Sequence, residues 1–402
     1  MSASFLNATT ANIKGLGLRG RLARVMDVDQ GMLAAVLSLS MIGIIIVASS
    51  SVVLAEHYTG DSMYFLKRHL VNVGFACVAA MIGWFTPLYV WEKLSLSMLL
   101  VAIALLAIVL MPGIGVEVKG AQRWINLGVM NLQVTEVARV AMLVYFSGFV
   151  VRHADSVSNR LSGLLAPCIA LAICSGLIAM QPDLGSVILM AAVCFTILFV
   201  GGIPLRWVVM MVILFVGTAI LLTVTEEYRL ARVLSFWNPD ADSLGAGYQT
   251  QQAFIAIGRG GWFGVGLGRS LQKFLYVPEM HTDYVFAVFA EEFGLAAVLA
   301  LIALYAYLLF KGWSVGNAAA KNHQWFAAYL CLGITVAFAL QVIVHIAVNV
   351  GYAPPTGAVL PFMSYGGSSL LMTGATTGML LRASSEVRAK NAEKSDAAGV
   401  NE

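Results

Sequence analysis

The sequence predicts an all-α membrane protein whose chain crosses the bilayer ten times. Two features of its composition support this: 59% of the 402 residues are hydrophobic and only 11% are charged, whereas soluble domains carry about 25% charged residues. The third observation is the pattern of the apolar residues. They fall into runs close to the roughly 20 residues that a helix needs to cross the hydrocarbon core.

Ten apolar runs can be marked, and each predicts one membrane-spanning helix. The first is too long for the apolar region of a cleaved signal peptide, so it predicts a retained span. The runs cover residues 32–55, 69–88, 94–112, 135–151, 163–180, 186–203, 205–224, 284–310, 325–350 and 368–382.

The distribution of Lys and Arg predicts the orientation, because positive charges concentrate in short cytoplasmic segments. With the N-terminus inside, most Lys and Arg residues outside the spans fall on the cytoplasmic side, and both termini are cytoplasmic. Residues 1–31 and 386–402 then form tails around a transmembrane domain, 32–385. The long segment between spans seven and eight, 225–283, faces outward, and its aromatic residues predict a structured loop.

Charged residues inside the apolar runs are the first candidates for a specific role. Arg139 lies several residues into the fourth run, and Asp183 lies at the outer junction of two runs. Ionisable residues in a membrane are costly and are usually paired. We therefore expect an ion pair between Arg139 and Asp183 that ties two helices together. The alternative is a local pair between Arg139 and Glu136, three positions earlier.

The glycine-rich stretch "GRGGWFGVGLGRS", residues 258–270, has two interpretations. It lacks the GxGxxG spacing and the strand–helix context of a nucleotide-binding loop. Its glycines could still let backbone N–H groups approach an anion, with Arg259 and Lys273 nearby, which would suit a phosphate-bearing ligand at the outer face. Equally, it could be a tight-turn loop whose basic residues are solvated.

The stretch "LPFMSYGGSS", residues 360–369, joins the last two predicted spans. Gly366 and Gly367 permit unusual backbone angles, and Ser368 is a candidate N-cap for the final helix. Together with Ser364 these residues could line a substrate site. A purely structural turn is as good an interpretation.

The stretch "VPEMHTDYVFAVFAEEFG", residues 277–294, places carboxylates where a chain enters lipid. Asp283 stands at the expected start of a helix, where a carboxylate complements the helix dipole by about 0.3–1 kcal/mol. Glu279 and His281 cluster beside it, and Glu291 lies eight residues on, about 12 Å deeper. A partly desolvated carboxylate at the membrane surface is suited to be a general base.

Several motifs together resemble the SEDS family of bacterial cell-wall synthases over about residues 30–385. These motifs are "PEMHTDYVFAVFAEEFG", "QPDLGS", "KGAQRW", "GYQTQQAFIAIGRGG" and "PTGAVLPFMSYGGSS". The stretches "SYGGSSLL" and "MLLRASSEVR" are more similar to the division branch of the family than to its elongation branch. Arg139 stands where the family has a lysine that pairs with the aspartate of "QPDLG", here Asp183.

The resemblance implies a ten-span peptidoglycan glycosyltransferase that polymerises lipid II at the outer face of the inner membrane, with inversion at the anomeric carbon. It assigns the essential aspartate to Asp283, with His281 and Glu291 lining the same motif. The leaving pyrophosphate needs cations. The basic candidates are Arg68, Lys119, Arg123, Arg259 and Lys273. No dedicated metal site is visible, and the five cysteines lie in apolar runs without metal-ligand spacing. A divalent cation, Mg²⁺ or Mn²⁺, could be shared with the substrate.

The resemblance also implies partners: lipid II, a class B penicillin-binding transpeptidase and other division proteins, with no nucleic acid. It predicts a multi-pass inner-membrane protein at the division septum. Three alternatives stay open, namely a lipid II flippase, an elongation-type polymerase and a divisome scaffold without activity. A transporter should hold its key charges near the bilayer midplane, whereas the acidic cluster here is expected at the outer surface.

Overall fold

The computed structural model describes residues 28–118, 120–128, 130–154, 162–226, 229–230, 236, 246–270 and 281–399. The first 27 residues of the predicted N-terminal tail lie outside these ranges, as do Lys119, Lys273 and much of the predicted outer loop. All structural statements below concern the described residues.

Apolar helices dominate the described chain. Seven of them, α1 to α4, α7, α9 and α10, are long and apolar enough to cross a membrane, while α5 and α6 hold shorter apolar stretches. The chain is therefore a polytopic membrane protein. The helices are α1 (Gln30–Thr59), α2 (Tyr64–Phe85), α3 (Leu88–Val109), α4 (Val134–Arg152), α5 (Ser162–Ala179), α6 (Leu184–Val200), α7 (Leu205–Val224), α8 (Ala246–Gly260), α9 (Val285–Lys321), α10 (Trp325–Asn349) and α11 (Gly367–Gly399).

A small antiparallel sheet between α3 and α4 departs from the all-α prediction. Its strands are β1 (Gly115–Val118), β2 (Ala121–Asn126) and β3 (Asn131–Gln133), in the order β1-β2-β3. Val118 pairs with Ala121, and Gly120, just before Ala121, has φ 76°. A polar loop between two spans cannot enter lipid, so its backbone groups find partners in a hairpin instead.

Helix α9 is broken near its N-terminal end, and the break separates two environments. Gly294 has φ 78° and ψ −179° inside the helix. The residues 285–292 before it are all buried, whereas Leu295 and Leu299 beyond it are 42% and 54% exposed. The 37 residues of α9 would extend about 55 Å, well beyond the roughly 30 Å hydrocarbon core. The first part of α9 is therefore enclosed by protein, and the apolar flank that faces outward begins after Gly294.

Helices α2 and α11 pack backbone to backbone through small residues. A side chain at Gly374 or Gly378 would collide with the carbonyl oxygens of Ala76 and Ala80. This close packing fixes where α11 begins, and so it fixes the end of the 350–366 loop that approaches the candidate site.

At the opposite end of α9, Asp29 joins three helices. It caps α1 by accepting a hydrogen bond from Met32 N (3.0 Å). Its Oδ2 also lies 3.2 Å from Lys311 Nζ in α9 and 2.5 Å from Arg388 Nη2 in α11. Burial alone raises the pKa of Asp29, but the Met32 amide and the two cations outweigh it and lower the pKa below its usual value. The ionised carboxylate therefore stabilises this junction.

We expect Asp29→Asn to lower the melting temperature of the purified protein at pH 7. Asparagine keeps the cap, so the loss reports the two charged contacts, about 1–3 kcal/mol of unfolding free energy. Because the folded-state pKa is depressed, the stabilisation is present above the unfolded value of 3.8 and is lost as the pH falls through the folded-state pKa. The gap between wild type and variant should therefore close in strong acid.

Asp61→Asn is the matched control for this experiment. Asp61 also pairs with a lysine, Lys67 at 2.8 Å, but both side chains are exposed, so its replacement should change the melting temperature little. Equal effects of the two substitutions would show that the contacts of Asp29 stabilise the protein no more than an exposed ion pair does.

Candidate active site

The candidate catalytic Asp283 lies in the turn 281–284 that leads into α9. The N-cap residue is Tyr284, and its side chain makes no cap hydrogen bond. Asp283 is half-buried. A Cβ placed on Gly357 would lie 4.0 Å from Asp283 Oδ2, so the loop between α10 and α11 passes close to the carboxylate. Asp283 thus precedes the helix, rather than beginning it as the sequence suggested.

A buried amide from α10 fixes the backbone at Asp283. The Nδ2 group of Asn349 donates to the Asp283 carbonyl at 2.9 Å, and its Oδ1 accepts from Ala287 N at 3.1 Å. The first amides of a helix have no helical acceptor. Asn349 therefore provides, from the neighbouring α10, the hydrogen-bond acceptor that a capping side chain would provide at the start of α9.

The loop between α10 and α11 fixes the two preceding residues. Ser364 Oγ donates to the Thr282 carbonyl at 2.8 Å, and Tyr365 N donates to the His281 carbonyl at 2.9 Å. The carbonyl groups of His281, Thr282 and Asp283 are thus each bound by a residue from another part of the chain. Such a turn has little freedom to move. Ser364 acts through the backbone of the turn.

An aromatic cluster packs on the same turn. The ring of His281 lies 5.2 Å from Tyr365 and 4.8 Å from Phe65 of α2. Exposed Arg68, one turn further along α2, donates to Tyr64 Oη at 2.8 Å. The Arg68 guanidinium lies 5.4 Å from the centroid of the Tyr64 ring, and the Tyr64 ring lies 5.4 Å from that of Phe65, so Arg68 stands beside this cluster. Burial raises the pKa of Tyr365, and Arg68 acts in the opposite direction. Arg68 is thus a predicted pyrophosphate ligand that lies close to the candidate site.

Ser368 and the two glycines before it have roles other than those predicted. Neither Gly366 nor Gly367 has a positive φ, so unusual backbone angles are not the reason for glycine. A Cβ at Gly367 would lie 3.0 Å from the Asn72 side chain, so close approach explains that position. Helix α11 already begins at Gly367. Ser368 is therefore not its N-cap; its Oγ donates to Asn131 O at 2.9 Å in β3.

The predicted ion pair between Arg139 and Asp183 is wrong, and the local alternative is the one formed. Arg139 Nη1 lies 2.7 Å from Glu136 Oε1. In the orientation that satisfies both groups, the amide oxygen of Gln341 in α10 also accepts from this guanidinium. A partner one helical turn away costs less side-chain ordering than one on another helix, so the local pair prevails.

Asp183 finds its partners at the start of α6 and in the sheet. It caps α6, accepting from Ser186 N at 3.2 Å, and lies 3.8 Å from Arg123 Nη1. Arg123 also donates to the carbonyls of Gln181 and Pro182, at 2.7 Å each. Its guanidinium therefore ties β2 to the α5–α6 turn, and this bonding does not favour the predicted role on pyrophosphate.

The glycine-rich segment packs against the break in α9. Val265 N and Gly266 N donate to the carbonyls of Glu291 and Glu292, at 2.9 and 3.0 Å. In return, the amides of Leu295 and Ala296 donate to Gly261 O and Trp262 O, at 2.9 and 3.1 Å. Gly264 has φ 78°, and a Cβ there would collide with the Glu292 carbonyl. These glycines permit close approach to a helix, which favours the structural interpretation left open by the sequence.

Two buried carboxylates of α9 point into the same segment. Glu291 lies 2.7 Å from Arg259 Nη1, and the hydroxyl of Ser270 donates to its other oxygen. Glu292 Oε1 accepts from Gly268 N at 3.0 Å and from Ser49 Oγ of α1 at 2.6 Å. Arg259 is therefore engaged with a buried carboxylate, where the sequence predicted a contact with substrate.

Comparison with known proteins identifies the family. A family model for FtsW, RodA and SpoVE, described as "Cell cycle protein", matches residues 30–389. The chain belongs to this family. A protein of Pseudomonas fluorescens named "Probable peptidoglycan glycosyltransferase FtsW" is 40% identical over 365 residues, which cover 91% of this chain and 90% of that protein. A protein of the same name from Alkalilimnicola ehrlichii is 42% identical over 373 residues, 93% of each chain.

Solved structures of the FtsW/RodA/SpoVE type share the fold. One is a chain of a peptidoglycan synthase complex that coordinates polymerization and crosslinking. It has a TM-score of 0.72 and 27% identity over 90% of this chain and 99% of its own. Another is the rod shape determining protein RodA of Thermus thermophilus, with a TM-score of 0.64 and 25% identity over 89% and 97% of the two chains.

Sequence reasoning missed several residues that build the site in this family member. Asn349 is the most important, and its signal was available: a polar side chain inside an apolar run calls for a partner. Ser49 and Ser270 carried no such signal, because serine is common in spans and loops. No group of three His, Cys, Asp or Glu side chains in the described ranges could hold a metal ion. A cation carried in with the substrate stays a prediction.

We expect Ser364→Ala to lower the melting temperature. Its hydroxyl accepts from Leu360 N and donates to Thr282 O, both at 2.8 Å, and each buried group left without a partner costs about 1–3 kcal/mol. Ser147→Ala is the control, because that buried hydroxyl bonds only Leu143 O, four residues earlier in its own helix. A Ser364 variant no less stable than the Ser147 variant would contradict this role.

Gly264→Ala should destabilise the protein more than Gly113→Ala. Both glycines have similar φ values, 78° and 85°, but nothing lies within 4 Å of a Cβ at Gly113. The left-handed conformation costs alanine about 1–2 kcal/mol at either position. Gly264 adds a steric cost of about 1–3 kcal/mol. Melting temperatures of the two variants measure the difference, and equal values would show that the loop can move away from α9 without loss.

Proposed function

We propose that this chain is a peptidoglycan glycosyltransferase that polymerises lipid II, with Asp283 as the general base. The observation that carries the proposal is the turn 281–284, where three successive carbonyls are each bound by a residue from another part of the chain. A half-buried carboxylate on so well-fixed a turn is suited to take a proton in a defined geometry. The names of the relatives from Pseudomonas fluorescens and Alkalilimnicola ehrlichii support the same activity.

In the proposed reaction, Asp283 accepts the proton of the 4-hydroxyl of the incoming GlcNAc. That oxygen forms a bond to the anomeric carbon of the lipid-linked MurNAc at the end of the growing strand. The bond from this carbon to the pyrophosphate oxygen breaks, and undecaprenyl pyrophosphate leaves. The attack comes from the opposite face, so an α linkage becomes β. The proton on Asp283 then passes to solvent.

The departing pyrophosphate gains negative charge, so cations aimed at it stabilise the transition state. Arg68 is the best candidate among the described residues, because it is exposed beside the aromatic cluster on the 281–284 turn. Lys119 and Lys273 stay candidates on sequence grounds. A divalent cation bound to the pyrophosphate would share this task.

The proposed topology has ten spans, cytoplasmic termini and the 225–283 loop outside the inner membrane. The two ends of α9 support it, since Asp283 stands at one end and the Asp29–Lys311–Arg388 junction near the other. The proposed partner is a class B penicillin-binding transpeptidase, together with other division proteins. The fold shared with a chain of the peptidoglycan synthase complex supports such a partner, and the FtsW relatives favour the division septum over elongation.

A lipid II flippase is the alternative from another class. It would require charges near the middle of the membrane. Arg139 and Glu136 lie within the span α4, but they neutralise each other at 2.7 Å. The carboxylate best placed for chemistry stands at the end of a helix, which favours an enzyme over a transporter and over an inactive scaffold.

We expect Asp283→Asn to abolish polymerisation of labelled lipid II by the purified protein with its partner transpeptidase. The amide is nearly the size of the carboxylate but cannot accept the proton, while the bonds to the backbone of the turn remain. The variant should therefore melt like wild type and still bind the partner. Asp61→Asn, an exposed carboxylate, is the control and should polymerise normally. Substantial polymerisation by Asp283→Asn would exclude a general base at this position.

A further inference from the structure

We propose that residues 259–270, here called the clasp, position Asp283 by completing the broken helix α9, with Arg259 and Glu291 as the decisive pair. This inference rests on the proposed function and adds to it positioning residues that do not touch substrate.

The clasp replaces the helical hydrogen bonds that the break removes. In a continuous helix, Leu295 N would donate to Glu291 O, and Ala296 N would donate to Glu292 O. At Gly294 the chain leaves helical geometry. The clasp then donates to both carbonyls through residues 265 and 266 and accepts from both amides through residues 261 and 262. Two lost helical bonds become four bonds to the clasp.

An ion pair between the clasp and α9 lies beside the break. Glu291 is fully buried, and a buried carboxylate needs a partner. Arg259 provides the cation at 2.7 Å, while its own side chain remains 38% exposed. The two members of the pair therefore differ. If Glu291 is removed, water can still solvate the Arg259 guanidinium. If Arg259 is removed, the Glu291 carboxylate stays buried without its cation.

The clasp affects the position of Asp283 through residues 285–293, the helical segment of α9 between the 281–284 turn and the break. This segment is here called the rod. Asn349, Ser364 and the loop at Tyr365 fix its outer end, and the clasp fixes its inner end. Glu291 lies eight residues, about 12 Å, from Asp283. Without the clasp, a tilt of about 5° over that length shifts the two ends of the segment by about 1 Å relative to each other, which strains the three bonds at the turn and displaces the carboxylate. A displacement of about 1 Å costs roughly 10²-fold in rate.

The sequence alone suggested a different role for Arg259, as a ligand of the leaving pyrophosphate. The two roles predict opposite results for a second substitution. A pyrophosphate ligand lost in Arg259→Gln cannot be restored by changing Glu291. A positioning pair can be restored, because Glu291→Gln removes the buried charge that Arg259→Gln leaves without its cation, and two amides can hydrogen-bond in the same place.

The test compares Arg259→Gln, Glu291→Gln and the double variant, each reconstituted with the partner transpeptidase. Arg269→Gln is the control, since Arg269 is an exposed arginine of the same clasp. The rate of lipid II polymerisation gives kcat and KM. Hydrogen exchange of the backbone amides 285–293 measures, independently of activity, how often the hydrogen bonds of the rod open. We expect Arg259→Gln to lower kcat roughly 10²-fold with KM unchanged and to speed exchange across the rod.

The double variant decides the question. We expect it to recover kcat at least about tenfold over Arg259→Gln and to slow exchange again, because coupled sites are non-additive. A double variant as inactive, or as poorly folded, as Arg259→Gln overturns the proposal, as does a loss of activity in Arg269→Gln equal to that in Arg259→Gln. Full polymerisation by Asp283→Asn would instead refute the general base, while the exchange data would still report whether the clasp holds the rod.

Discussion

The interruption of α9 at Gly294 is the constraint on which the structure around the candidate site depends. A helix that stops hydrogen-bonding inside a membrane protein leaves amides and carbonyls that water cannot reach, and each must find a partner. Here the partners come from the segment 259–270, which is why that segment is rich in glycine. The break also lets the first turns of α9 be enclosed by protein while the remainder presents an apolar flank.

This arrangement explains why carboxylates stand where the chain meets lipid. Glu291 and Glu292 do not face hydrocarbon. They lie on the enclosed part of α9, and Arg259, Ser270, Gly268 and Ser49 provide their hydrogen bonds. Asp283 stands just before the same enclosed part, in the turn that leads into α9. It differs from them in being half-buried, and the loop at Gly357 passes close to its carboxylate.

The ion pairs of this protein do not follow from charge alone. Arg139 has Glu136 one turn away, and Asp183 lies at a helix start beside Arg123. At the Asp29 junction, the start of α1 is joined to Lys311 of α9 and Arg388 of α11. The charged residues within the apolar runs and the family resemblance both predicted a pair between Arg139 and Asp183, but the structure gives each a nearer partner.

The sequence by itself determined the membrane class, the positions of most helices, the family and Asp283 as the candidate base, because these depend on long apolar runs and on motifs read within one stretch of chain. Tertiary structure alone decided the hairpin after α3, the partners of Arg139 and Arg123, and the role of the glycine-rich segment. It also decided that Asn349 and Ser364 fix the 281–284 turn. The physical reason is that a hydrogen bond between residues 66 or 82 positions apart depends on how helices pack, and no local pattern records that packing.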